Sequence, residues 1–214
     1  MIDTAECVRT EIVRLDPAAT TEAKVILYHA YRDEPTFQYL FDSSKAGYDQ
    51  RVRATIRELI DLHFAHGQDV IGLSVDNSLV GIALVGSPTV RLNLAEQFNW
   101  RIRMMLTAGL SSTRRYIDYH MQVNAVLPGD EHHELPLMGI DASYQRKGYG
   151  RILLNAIEKL CSENPRSCGI GLDTGNTRYL QFYESLGYKK VGEVKLGDFT
   201  ETVLFKPRLD TPAP

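Results

Sequence analysis

Residues 145–150, with the sequence Gln-Arg-Lys-Gly-Tyr-Gly, form the stretch of this chain best suited to bind an anion. The apolar run 135–140 precedes this stretch and the amphipathic run 151–161 follows it, which predicts a strand, a turn and a helix. The start of a helix has backbone N–H groups without partners inside the helix, and the positive end of the helix dipole. Because Gly148 and Gly150 lack Cβ atoms that would block a ligand, we expect a site for a phosphate or pyrophosphate.

The spacing of the glycines does not fit two widespread nucleotide loops. The dinucleotide fingerprint needs three glycines as G-x-G-x-x-G, and the ATP loop needs G-x-x-x-x-G-K-[ST]. The string Q-x-x-G-x-G resembles instead the coenzyme A loop of the GNAT superfamily, the acetyl-CoA-dependent N-acyltransferases. Residues 176–188 resemble the later motif of that family, an asparagine followed by F-Y-E-x-x-G-[FY]. Both motifs stand in the family's order and at about its separation, so the resemblance is specific over 135–193.

The resemblance implies acetyl-CoA as cosubstrate and direct transfer of its acetyl group to an amine, without an acetyl-enzyme. In the family, the backbone of the strand before the loop pairs with the pantetheine arm and polarises the thioester carbonyl. Asn176 could instead cap a helix, because asparagine is a good helix cap, and Arg146 and Lys147 could be only solvated cations. These alternatives stay open. The positions that match the family's coenzyme-binding residues are Met138, Gly139, Ile140, Ala142, Gln145, Arg146, Lys147, Gly148, Tyr149, Gly150 and Asn176.

Two side chains are candidates for moving protons. Tyr183 matches the tyrosine that many family members use as general acid toward the coenzyme's sulfur, and a phenol is protonated at neutral pH; the alternative is a buried aromatic. An acceptor ammonium must lose a proton before attack, and Glu134 is the candidate base. A solvated charged loop and water-mediated proton loss are the alternatives for this region. Further candidates for the base are Glu131, His132, His133, His120, Tyr116 and Tyr119.

The elements that must position these residues follow the order of the family. The pattern predicts a strand at 8–15, helices at 16–31 and 51–66 around an irregular aromatic-rich stretch at 32–48, and a hairpin of strands 70–75 and 79–85. After the loop come a strand at 168–174, a motif helix at 177–186 and a closing hairpin at 188–206. The predicted fold is α/β, with a mixed, mostly antiparallel central sheet flanked by helices. The sheet should splay between 135–140 and 168–174, where acetyl-CoA should enter.

A long connection at 88–126 separates the third strand from the fourth. Gly109 divides it into two predicted helices, the second capped by Ser111 or Ser112 and carrying Tyr116, Tyr119 and His120. The longer connection resembles that of puromycin N-acetyltransferase and its relatives, which modify small amines. We expect this helical insert to wall the acceptor site; a lid that only stabilises the fold is the alternative. The apolar face of the first helix should consist of Leu94, Phe98, Ile102 and Met105.

Composition limits the classes of protein and partner. The chain has 214 residues with 43% hydrophobic and 24% charged residues, which fits one domain at 1–207 and a poorly ordered tail at 208–214. The net charge of −3 gives no support for nucleic-acid binding, and no apolar run suits a membrane helix. Residues 1–6 lack the regions of a signal peptide, so we expect a cytoplasmic protein. The scattered cysteines Cys7, Cys161 and Cys168 suit neither a disulfide framework nor a metal site.

The function expected from these features is N-acetylation of a small amine with acetyl-CoA. One alternative is acetylation of a protein N-terminus or lysine, which needs an open groove in place of a walled pocket. The other is a non-catalytic acyl-CoA-binding protein. The sequence leaves open which amine is the acceptor and whether the chain forms a homodimer.

Overall fold

The computed structural model describes residues 8–129 and 131–208 and contains a seven-stranded sheet with the order β1-β2-β3-β4-β5-β7-β6. All neighbouring strands are antiparallel except β4 and β5, which are parallel. The mixed, mostly antiparallel sheet is therefore confirmed. The strands are β1 (Thr10–Arg14), β2 (Asp69–Val75), β3 (Ser78–Gly86), β4 (His133–Ile140), β5 (Gly169–Thr174), β6 (Lys189–Leu196) and β7 (Phe199–Pro207).

Helices cover both faces of the sheet, as expected. Alternate strand residues point to opposite faces: Ile82 and Leu84 join a core under α1 and α3, whereas Ala83 and Val85 join a second core under α6. The helices are α1 (Thr20–Tyr31), α2 (Pro35–Phe41), α3 (Tyr48–Ala65), α4 (Leu94–Ala108), α5 (Leu110–Val126), α6 (Tyr149–Ser162) and α7 (Leu180–Glu184). No helix among the described residues is long and apolar enough to span a membrane.

The sheet opens between β4 and β5. These strands pair only at His133↔Ile170 and Glu134↔Gly171, and then separate. Just beyond the paired residues, β4 has two residues, Leu135 and Pro136, where β3 has one, which is a β-bulge that bends β4 away. Proline suits this position because it has no N–H to lose from a ladder. The predicted splay is thus confirmed, and the bulge explains it.

The stretch expected to be irregular, 32–48, contains α2, so that expectation was wrong. Pro35 stands in the first turn of α2, where its fixed φ favours the helix and its missing N–H costs nothing. Phe37, Leu40 and Phe41 are buried at helical spacing. The aromatic residues of this stretch therefore form an amphipathic helix.

The insert contains two helices divided at Gly109, as predicted, but α4 buries a different face. Leu94 and Phe98 are 84% and 62% exposed. The buried residues, each four positions apart, are Trp100, Met104 and Ala108. They are buried because their side of the helix faces α3. The ion pair between Arg103 and Glu58, at 3.1 Å, lies beside them.

Helix α5 begins directly after Gly109, and neither Ser111 nor Ser112 caps it, so that expectation was also wrong. The side-chain cap of the insert lies at the start of α4 instead. There Asn93 and Glu96 form a capping box.

The motif helix is shorter than the predicted 177–186. A 3-10 turn at Thr177–Tyr179 leads into α7, which ends at Glu184. Cys161 is buried and Cys168 is partly buried, and both are free thiols. The described residues do not include Cys7 or residues 1–6, for which we expected no signal peptide. They also do not include 209–214, which form most of the predicted tail.

Candidate active site

A cavity of about 660 Å³ lies where β4 and β5 separate. Its walls come from α1, α5, α7, β4, β5, β7 and the turn between β4 and α6. We call the part at that turn the loop half, formed by Gln145, Arg146, Gly148, Gly150 and Arg151. We call the part toward α5 and β7 the carboxyl half, formed by Glu34, Thr36, Tyr116, Tyr119, Asp173 and Glu201.

The loop half presents backbone at the start of α6. The N–H groups of Arg151 and Ile152 both donate to the Gly148 carbonyl, at 3.0 and 3.2 Å, so the N–H groups just before them have no partner inside the helix. Gly148 has φ +85°, and a Cβ added there would meet no atom within 4 Å. The backbone therefore faces open space, which suits a phosphate group.

The side chains of the predicted coenzyme loop divide into two groups. Gln145 donates from Nε2 to the Ile140 carbonyl at 3.1 Å, and Lys147 lies with Nζ 5.2 Å from the centre of the Tyr144 ring. The predicted residues that line the cavity are Met138, Gly139, Ile140, Gln145, Arg146, Gly148 and Gly150. Those outside its wall are Ala142, Lys147, Tyr149 and Asn176.

Asn176 is a helix cap, which was the alternative considered for it. Its Oδ1 accepts from the Arg178 N–H at 3.2 Å. Its Nδ2 donates to Oε1 of Glu34 at 3.1 Å, and Glu34 does line the cavity. Asn176 thus positions a carboxylate of the cavity from outside the wall.

A tyrosine that the sequence analysis missed bonds to the open edge of β4. The Tyr31 hydroxyl accepts the Met138 N–H at 2.9 Å. This contact is allowed because α1 packs tightly on Gly139, where an added Cβ would lie 2.8 Å from the Ala30 Cβ. The backbone N–H that the resemblance assigns to the coenzyme is thus already bonded to Tyr31. The signal was available, since Tyr31 follows the buried Ala23 and Leu27 at four-residue spacing.

Tyr183 lines the cavity on α7, as predicted. Burial raises its pKa, so the phenol remains a neutral donor at physiological pH. Burial also raises the pKa of Tyr31, and the nearby Tyr183 and Asp173 contribute to that rise. The two tyrosines and Asp173 all line the cavity.

Glu134 lines the cavity, with Oε2 3.8 Å from Nε2 of His120. The two histidines before it do not form a solvated loop, so that alternative was wrong for them: His132 and His133 are 6% and 2% exposed. Nδ1 of His133 lies 2.7 Å from the Ser167 hydroxyl, and burial lowers the pKa of His133 to about 4. Tyr116, Tyr119 and His120 of α5 do reach the cavity, so the insert forms part of its wall.

The buried Glu201 and the partly buried Asp173 meet in the carboxyl half, and the sequence analysis missed both. The Tyr119 hydroxyl donates to Asp173 on β5, and the Thr36 hydroxyl donates to Glu201 on β7. Burial is the main cause that raises the pKa of each acid, and the charge of Asp173 adds to the rise for Glu201, to about 9. The pair therefore holds a proton at neutral pH. The alternation of Glu201 with Val203 and Phe205, both buried, was the signal for an inward acid.

Comparison with known proteins agrees with this geometry. Residues 119–190 match the family described as Acetyltransferase (GNAT) domain. No curated protein matches the chain at a significant level. Among solved structures, the chain is similar to "histone acetyltransferase HPA2 and related acetyltransferase" from Corynebacterium glutamicum, with 20% identity, a TM-score of 0.70, and coverage of 95% of this chain and 99% of that one.

Two further solved structures share the fold and act on different substrates by their names. An agmatine N-acetyltransferase has 11% identity and a TM-score of 0.66, covering 93% of this chain and 100% of that one. The ribosomal-protein-S18-alanine N-acetyltransferase from Escherichia coli has 15% identity and a TM-score of 0.54, covering 95% and 97%. At these identities the likeness shows the fold alone. Residues 119–190 thus match the GNAT acetyltransferase domain, and this match supports an acyltransferase enzyme.

Proposed function

We propose that this protein transfers the acetyl group of acetyl-CoA directly to the amine of a small molecule. The observation that carries the proposal is that a helix-start anion site and a buried carboxyl pair share one cavity, with Tyr183 in its wall. The first suits a pyrophosphate and the second suits an ammonium group. The residues 1–207 would act as a single domain.

The loop half fits the phosphates of coenzyme A. The open backbone at Gly148 leaves room for an anion, and Gly150 and Arg146 lie beside it. Acetyl-CoA would supply an activated acetyl thioester. Residues 138–140 of β4 would run along its pantetheine arm. The Tyr31 hydroxyl would then either move away from the Met138 N–H or donate its own hydrogen bond to the arm in place of that N–H.

Tyr183 and Glu134 would handle the protons. The raised pKa of Tyr183 keeps its hydroxyl protonated, so Oη can donate to the sulfur as the thiolate leaves. Glu134 has a side chain 35% exposed, which places it where a proton released inside the cavity can pass on to water. Nε2 of His120, 3.8 Å from Oε2 of Glu134, lies close enough to orient that carboxylate.

The walled cavity favours a small acceptor over a peptide. Tyr116, Tyr119 and His120 close its side toward α5, whereas a protein N-terminus or lysine would need an open groove. A binding protein without activity would not need a phenol donor at the thioester. The layout like that of puromycin N-acetyltransferase remains a prediction, and so does a homodimer.

The test combines coenzyme binding with a substrate panel. Titration calorimetry should show acetyl-CoA binding to the purified protein, and release of free thiol should depend on an added amine. The panel should contain small alkyl and aryl amines beside peptides with free N-termini and lysines. Turnover with peptides alone would replace the small-molecule proposal, and binding without turnover by any amine would favour the non-catalytic alternative.

A further inference from the structure

The carboxyl pair in the cavity lacks a cation. Glu201 is 1% exposed and Asp173 is partly buried, and both line the cavity. Among the described residues, no ion pair joins either acid to a lysine or arginine. His120 is the basic side chain whose charge acts on Asp173. Because buried carboxylates are costly without a partner, a ligand cation is the natural complement.

A second feature of the same space points to a ligand. Tyr116 is only 8% exposed and lines the cavity, and no described residue forms a hydrogen bond with its hydroxyl. The charges of Asp173 and Glu134 help to raise the pKa of Tyr116, and all three residues line the cavity. A side chain this buried rarely leaves its hydroxyl without a partner unless a ligand or water completes it.

The pair also lies beside the region where acetyl transfer would occur. The charge of Asp173 acts on both Tyr31 and Tyr183, the two tyrosines at the splay. Tyr31 in turn bonds Met138 on the open edge of β4. A cation held by Asp173 would therefore lie near the acetyl carbon, as the reacting nitrogen must.

We propose that the Asp173–Glu201 pair binds the reacting ammonium group of the acceptor and takes its proton. This inference rests on the proposed function and names its acceptor as a primary amine that arrives as a cation. An N–H bond of the ammonium breaks and an O–H bond to the pair forms, which leaves the lone pair on nitrogen. Nitrogen then bonds to the acetyl carbon and the C–S bond breaks. Tyr183 Oη protonates the sulfur and is reprotonated by the proton that leaves nitrogen as the amide forms.

The residues around the pair indicate which other groups the acceptor has besides its ammonium. Aromatic side chains of Tyr116, Phe37 and Tyr31 line the same part of the cavity, which suits an alkyl or aryl body. Tyr119 would be a positioning residue, because its hydroxyl donates to Asp173 and need not touch the acceptor. A neutral molecule of the same shape should bind poorly, since it leaves the carboxylate unpaired.

The test measures amine binding separately from coenzyme binding. Titration calorimetry of the protein saturated with coenzyme A would use agmatine, spermidine and 2-phenylethylamine, with 2-phenylethanol as the neutral counterpart. At least one amine should bind, and 2-phenylethanol should not. The double variant Asp173→Asn/Glu201→Gln should weaken amine binding about ten- to hundredfold, the loss expected for a charged hydrogen bond. Its affinity for coenzyme A should stay unchanged.

A matched control and single variants keep the test decisive. Glu193→Gln removes an exposed acid from β6, opposite Thr202 of β7, and should leave amine binding unchanged. If the double variant does not fold, Asp173→Asn alone decides, because the amide oxygen of the new side chain still accepts from Tyr119. This single variant should lower both amine affinity and kcat. Equal amine affinity in a folded variant and the wild type overturns the inference, and so does a wild type that binds none of the amines. Failure to bind acetyl-CoA would defeat the proposed function instead.

Discussion

The two halves of the cavity bind charge by different means. The loop half uses backbone at a helix start, drawn from one short continuous stretch, 145–151. The carboxyl half uses side chains from a loop, two helices and two strands, with Thr36 and Glu201 separated by 165 positions in the chain. A backbone site is specified by local sequence, whereas a side-chain site exists only after the sheet and α5 have packed. The contrast explains why one half could be predicted and the other could not.

Tyr183 belongs to neither half, and its variant should give the largest effect. Tyr183→Phe keeps the ring and removes only the donor, and a positioned general acid contributes on the order of 10²–10⁴-fold. The loss should appear in kcat, because charge develops on sulfur only during the reaction. Steady-state kinetics with acetyl-CoA affinity as the control would measure it. A wild-type rate, with chemistry shown to be rate-limiting, would leave Tyr183 as a packing residue.

Gly148→Val should break the loop half while leaving the carboxyl half intact. The new side chain would fill the open space in front of the backbone N–H groups, so acetyl-CoA affinity should fall about tenfold or more. The control is Gly67→Val, since Gly67 also has positive φ, +62°, and no atom within 4 Å of an added Cβ, but lies outside the cavity. Calorimetry on both variants separates blocked binding from backbone strain. Equal affinities would place the phosphates elsewhere.

Tyr31→Phe should strengthen the binding of acetyl-CoA. The variant frees the Met138 N–H, which then has no partner until the coenzyme binds. Because the bound coenzyme would satisfy this partly buried donor, acetyl-CoA affinity should rise by about fivefold or more. Weaker binding in a correctly folded variant would show that the Tyr31 hydroxyl itself contacts the coenzyme.

Glu201→Gln tests the carboxyl half through the free energy of unfolding, which the variant should raise. The folded-state pKa of Glu201 is raised from 4.5 to about 9, so between these values the folded state holds a proton that the unfolded state releases. Stability of the wild type therefore falls as pH rises through this window. The variant lacks that loss, and its amide can still bond Thr36 and Asp173. Its free energy of unfolding should exceed that of the wild type by about 1–4 kcal/mol near pH 8.

Denaturant titration at several pH values would measure the difference. The gap between the variant and the wild type should close below about pH 4.5, where both states of the wild type hold the proton. Asp198→Asn in the turn between β6 and β7 gives a surface control. A gap that stays constant with pH would mean that Glu201 is not the titrating group.

Much of the fold was predictable because its signals are local. The hairpin of β2 and β3, the break at Gly109 and the splay all followed from patterning, turn residues and the family resemblance. The face of α4 was not, because Leu94 and Phe98 share a helical stripe as regular as that of Trp100, Met104 and Ala108. Only the position of α3 decides which stripe is buried. Helix α2 was missed because its aromatic residues were interpreted as an irregular stretch.

The candidate site divides in the same way. Gly148, Gly150 and Tyr183 line the cavity as their motifs indicated. Asp173 and Glu201 stood in correctly predicted strands, but no motif marked either acid as a site residue. Asn176 matched a motif, yet its amide bonds Glu34 and its oxygen caps a turn. A sequence motif identifies the residue, whereas its partner depends on which elements the fold brings together.

The bulge at Leu135 and Pro136 has a further consequence for how the protein avoids aggregation. An opened sheet exposes an interior strand edge, and such an edge is a template for β-strands of other molecules. Here Pro136 offers no N–H, the Met138 N–H is bonded to Tyr31, and the Ile140 carbonyl accepts from Gln145. The edge of β4 is therefore protected at three successive outward positions. A foreign strand would have to break two hydrogen bonds to add there.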